Sequence, residues 1–146
     1  MTFDPFGDFE TRGYLRNVAG ENEPGIVRRL EHNSFVTGID EAFSRLVRID
    51  RLTYRDVLDT HKTLFEAVYP RAGQDRAQTA PDIAVSKRDV LFAHPKDARA
   101  AVEYGLRLGH DKGFIPNKPG EVMGYLAYGH PFPDGNGRTI MSCLFP

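Results

Sequence analysis

Nine consecutive residues, His130-Pro131-Phe132-Pro133-Asp134-Gly135-Asn136-Gly137-Arg138, constrain the fold more tightly than any other part of the chain. Two prolines and two glycines this close together are incompatible with the interior of a helix or strand, so the run is a loop. Before it, Pro119 with Val122, Met123, Leu126 and Ala127 predicts a helix that runs straight into His130. After it, the residues from Arg138 to Phe145 predict a last helix. The loop therefore ends at a helix N-terminus, where exposed N–H groups and the helix dipole favour an anion. Gly135 and Gly137 permit positive φ and let an anion come close.

The rest of the chain reads as helices joined by turn-rich segments. Pro24 suits a helix start, and Val27, Leu30, Ile39, Phe43, Leu46 and Val47 recur at helical spacing, with a break predicted near Gly38. Tyr14, Leu15 and Val18 predict a short turn that docks on the body. Thr53 with Asp56 resembles a capping box. It opens a stripe of Val57, Leu58, His61, Leu64, Phe65 and Val68, which Tyr69-Pro70 is expected to end. His61 lies on that stripe and is read as a core or boundary histidine rather than a ligand. Residues 71–95 lose the helical period. There Ile83, Val85, Val90, Leu91 and Phe92 predict a short hairpin, with Ser86-Lys87-Arg88-Asp89 as its turn. Ala98, Ala101, Val102, Gly105 and Leu106 mark a further helix. The fold class is thus mainly α with one small β element, in a single domain over 1–146.

A net charge of −1 supplies no global field toward nucleic acid or an anionic membrane, so neither is expected as a partner. The lone Cys143 allows no internal disulfide and fits a reducing compartment. Met1 to Gly13 has no apolar core of a secretory signal, and no apolar run reaches membrane-spanning length. The expectation is a cytoplasmic protein, with delivery into another cell as an effector left open.

Within the loop, each residue type has a chemical use. Arg138 offers a charged fork to a phosphate oxygen. Asp134 is the hard oxygen ligand expected for Mg²⁺ on phosphates. His130 has a side chain whose neutral form is available near neutrality, and it could take a proton from an incoming hydroxyl. Phe132 would anchor the loop in the core. A Gly-Asn-Gly turn alone is usually only a turn. Eight specified positions together should arise by chance on the order of once in ten billion positions, which makes the whole run a strong signal.

The run resembles the signature of the Fic (Fic/Doc) domain family, H-P-F-x-[D/E]-G-N-G-R. Upstream, Leu64-Phe65, Tyr69-Pro70-Arg71-Ala72-Gly73 and Arg76 are similar to the family's L-F…Y-P-W-A-G…R segment, with Arg71 at the Trp position. Ser86-Lys87 to Phe92-Ala93 is similar to its flap. The resemblance covers roughly residues 50–141.

It implies a small helical domain that transfers AMP from ATP to a Ser, Thr or Tyr hydroxyl of a target protein, as a toxin or effector. In that reading His130 is the base. Asp134 holds Mg²⁺, Gly135, Asn136 and Gly137 form the anion hole, and Arg138 neutralises phosphate. The flap around Val85, Ser86 and Lys87 clamps the target's backbone by strand addition. Two departures keep an alternative open, an inactive domain that binds a partner or nucleotide without transfer. Met141 stands where the family has a second arginine, and the chain ends eight residues after Arg138, which implies a shortened C-terminus. A kinase of the Doc branch is a third reading, though Gly137 stands where that branch has Lys. The family's inhibitory motif [S/T]-x-x-x-E-[G/N] has no clean copy. Asn17 to Asn22 begins with Asn, and Thr37 to Ala42 ends with Ala, so a separate antitoxin-like chain is the expected control.

Overall fold

The structure is a computed structural model that describes residues 16–21, 23–110 and 118–146. These form six helices and one two-stranded sheet: α1 (Pro24–Leu46), α2 (Tyr54–Phe65), α3 (Arg76–Thr79), β1 (Ser86–Lys87), β2 (Val90–Leu91), α4 (Pro95–Gly109), α5 (Pro119–Gly129) and α6 (Asn136–Leu144). The mainly α expectation holds. Tyr14 and Leu15 lie outside the described residues. Val18 of the same predicted turn docks through its backbone, its N–H donating to the Val68 carbonyl at 2.6 Å, while its side chain stays exposed.

Local chemistry explains most helix starts. The Glu23 carboxylate accepts from the N–H groups of Gly25 and Ile26 ahead of α1. At α2 the predicted capping box is complete: the Thr53 hydroxyl accepts from the Asp56 N–H, and Asp56 accepts from the Thr53 N–H at 2.8 Å. Prolines open α4 and α5.

Three expectations need correction. α1 does not break at Gly38. It is continuous, and Gly38 marks where α1 crosses α2: a Cβ there would meet the Thr63 carbonyl oxygen at 2.5 Å. The α2 helix ends at Phe65, before Tyr69-Pro70, because a turn intervenes in which Val68 and Tyr69 both donate to the Phe65 carbonyl. In the hairpin, Ser86 and Lys87 are strand residues paired with Leu91 and Val90, and the turn itself is Arg88-Asp89, with Arg88 at φ 56.

Helices α4 and α5 pack together as one pair and α1 and α2 as another, while α6 touches α1, α2 and α5. One apolar cluster holds Val57, Val102, Leu106, Val122, Leu126, Phe132 and Ile140. A second holds Ala42, Leu64, Phe65, Val68 and Tyr69. The loop at 130–135 joins α5 to α6, which begins two residues earlier than the sequence predicts, and Phe132 anchors it fully buried in the first cluster.

Candidate active site

His130 ends α5 in the left-handed conformation, φ 44 and ψ 59. A residue with a Cβ is strained there, and such strain persists only where the surroundings enforce it. The enforcing group is Arg76. Its side chain is fully buried, Nε donates to the His130 carbonyl at 2.6 Å, and Nη2 donates to the carbonyls of Ala93 (2.6 Å) and Gly129 (3.3 Å). The Arg76 N–H also donates to the Pro131 carbonyl at 2.7 Å. These bonds satisfy carbonyls that a helix end leaves without partners. Burial pulls the Arg76 guanidinium below its ordinary range, the usual direction for a desolvated cation.

The loop after His130 is closed by two further side chains. Asn136 Oδ1 accepts from the Phe132 N–H at 2.9 Å, and Asn136 Nδ2 donates to the Phe132 carbonyl at 2.8 Å. His61 stacks on Phe132, with ring centroids 3.7 Å apart. Its Nδ1 accepts from the Gly73 N–H at 3.0 Å, which leaves Nε2–H to donate to the Asp134 carbonyl at 2.9 Å. Burial holds His61 neutral by pulling its pKa down to about 3, against the opposing pull of that bond to Asp134. The predicted core histidine is thus also a strut under the loop.

At the α6 N-terminus, Gly135 takes φ 82, and a Cβ there would sit 2.6 Å from the Phe65 ring. Its N–H donates to Asp134 Oδ1 at 2.7 Å. Gly137 is exposed, and a Cβ on it would meet nothing within 4 Å. Of the three residues expected to form the anion hole, Asn136 has its side chain committed to the loop and Gly135 has its N–H engaged by Asp134. The helix's first-turn amides at 136–138 are the ones a helix geometry leaves for an external acceptor.

Arg138 reaches back over the Phe65 ring at 4.8 Å, and its Nη2 lies 2.8 Å from Glu31 Oε1. Sequence reasoning missed Glu31. It sits on the buried stripe of α1, in phase with Val27, Ser34 and Gly38, and that registration of a carboxylate with an inward face was the available signal. Burial, then the nearby Asp134 charge, raises the Glu31 pKa to about 7, while Arg138 opposes the rise. Arg71, at the family's Trp position, is buried with its guanidinium 4.5 Å over the Tyr69 ring, so it fills an aromatic niche by cation–π contact.

The flap residues divide. The Val85 side chain is buried and its carbonyl accepts from the Phe92 N–H at 3.0 Å, so it faces the body rather than a partner. Ser86 is exposed on a two-residue strand. Met141, one turn beyond Arg138, is exposed and lines a groove of about 500 Å³ with Phe35, Phe43, Gly137 and Phe145.

The Fic/DOC family model matches residues 51–145. The chain is 30% identical to protein adenylyltransferase VbhT of Bartonella schoenbuchensis, over 97% of its own length. It spans only 30% of that relative. Its fold matches the crystal structure of BepC, a VirB-translocated effector of Bartonella tribocorum with bound AMPPNP, at a TM-score of 0.67 and 19% identity. That match covers 88% of this chain and 69% of the other. Among the described residues no helix is long and apolar enough to cross a membrane.

Proposed function

The chain belongs to the Fic/DOC family, and from its loop we propose that it is a single Fic domain that transfers AMP from ATP to a Ser, Thr or Tyr hydroxyl of a target protein. The observation that carries this reading is the gathering of His130, Asp134 and Arg138 at one helix N-terminus, on a loop that Arg76 ties at the His130 carbonyl, His61 at the Asp134 carbonyl and Asn136 at Phe132. Phosphoryl-type transfer asks a protein mainly for positioning and charge stabilisation. In the proposed step the target hydroxyl oxygen bonds to the α-phosphorus as the bond to pyrophosphate breaks, and His130 takes the hydroxyl proton. The first-turn amides of α6 and Arg138 stabilise the charge on the phosphates.

Asp134 would hold Mg²⁺. Its half-buried carboxylate, fixed at Oδ1 by the Gly135 N–H, suits a hard cation that needs one or two carboxylates. When bound, the ion would supply charge neutralisation on the nucleotide's phosphates. The target adds a strand along the hairpin at 85–87, contacting its backbone and Ser86 rather than the inward Val85. Control would come from a separate antitoxin-like chain, and the compartment we assign is the cytoplasm of this cell or of one that receives the protein.

A second reading, a domain that binds nucleotide or partner without transfer, is favoured by Met141, which cannot pair with a phosphate. Incubation with a cell lysate and either α-³²P-ATP or γ-³²P-ATP separates the readings. Label on protein from the α position alone supports adenylylation, label from the γ position alone supports a kinase, and no label supports the inert reading. His130→Ala is expected to abolish labelling while nucleotide binding persists. Labelling retained by that variant removes His130 from the role of base.

A further inference from the structure

The Phe92 ring lies flat on the His130 imidazole, with centroids 4.1 Å apart and an interplanar angle of 11°. Phe92 directly follows β2, and its N–H continues the hairpin by donating to the Val85 carbonyl. The next residue is tied to α5 twice: the Ala93 N–H donates to the Tyr128 carbonyl at 2.9 Å, and Arg76 bridges the Ala93 and His130 carbonyls. The exit of the flap and the end of α5 are therefore one bonded unit.

Arg76 and the helix end act on the backbone of His130, whereas Phe92 acts on its ring. The face of Phe92 restricts the imidazole to one plane. We propose that Phe92 is a positioning residue that holds the His130 imidazole in its working orientation and so couples the flap, where a target strand would dock, to the base. This rests on the reading of His130 as the base.

Stacked aromatic pairs hold one orientation over others by a margin that corresponds to roughly three- to tenfold in population. Phe92→Leu is therefore expected to lower kcat for α-phosphate transfer roughly three- to tenfold with the KM for ATP unchanged. Phe92→Tyr, which keeps the ring, is expected to retain wild-type kcat. Phe92 is only half-buried, so both variants should fold, which thermal unfolding checks. A second readout needs no activity. In ¹H–¹³C spectra the ring-current shift of the His130 imidazole protons should vanish in Phe92→Leu and persist in Phe92→Tyr. Unchanged His130 resonances in Phe92→Leu, an unchanged kcat in that variant, or equal impairment of Phe92→Tyr would each overturn the inference. A wild-type protein that transfers no α-label overturns instead the reading of the site, and with it the role assigned to Phe92, even where the stacking is seen.

Discussion

The Asn136 side chain closes a ring on the backbone of Phe132, accepting from its N–H and donating to its carbonyl across four residues. Both Phe132 groups are buried. Asn136→Ala leaves each without a partner, at a cost of about 1–3 kcal/mol for an unsatisfied buried group. The variant should unfold several degrees below wild type in a thermal scan and lose the transfer proposed for the wild type. A wild-type melting temperature in Asn136→Ala would show that the ring does not hold the loop.

Gly135 and Gly137 should respond in opposite ways. At Gly135 an alanine would be strained by positive φ and would clash with Phe65, so Gly135→Ala should destabilise by at least ~1–2 kcal/mol. At Gly137 there is room, and alanine favours a helix by up to ~1 kcal/mol, so Gly137→Ala should fold at least as well as wild type. If nucleotide phosphates approach that helix turn, the added methyl should weaken ATP binding all the same. Chemical denaturation and ATP titration on the two variants measure this, and equal stability loss in both would contradict the geometry.

Acid should loosen the loop through His61. Its folded pKa, about 3, lies below its ordinary value of 6.5, so the unfolded chain binds the proton more readily. The stabilisation is present above about pH 6.5 and is lost as pH falls toward about 3, by up to ~1.4 kcal/mol per pH unit. Urea unfolding at pH 7, 6, 5 and 4 should show this slope in the wild type and a shallower one in His61→Gln. Parallel slopes would mean that His61 already protonates freely in the folded state.

Cys143 should be inert while the protein is folded. Burial, opposed by the Thr60 hydroxyl, pushes its thiol up to about 11, and the thiolate is the reactive form. Reaction with a chromogenic disulfide at pH 8 is expected to proceed no faster than unfolding. Rapid modification of the native protein would place the thiol at the surface.

Close packing of α1 on α2 depends on Gly38. Gly38→Ala should cost about 1–3 kcal/mol, because the obstacle is the rigid Thr63 carbonyl rather than a movable side chain. A neutral effect in denaturant unfolding would mean the two helices can part without loss.

What the sequence determined by itself was local. The capping box at Thr53 and Asp56, the proline-led starts at Pro24 and Pro119, and the tight turn that follows His130 rest on bonds and torsions spanning only a few residues. Such features are legible because the residues that cause them are neighbours. The reading of Gly38 as a break failed for the same reason, since only the crossing helix reveals why a side chain is excluded there. Tertiary structure decided the rest of the site. Glu31 meets Arg138 across 107 residues, His61 reaches Asp134 across 73, and Arg76 holds His130 across 54. No local pattern specifies those pairs. They follow from which helices share a core, and burial in that core makes His61 neutral and raises the pKa of Glu31.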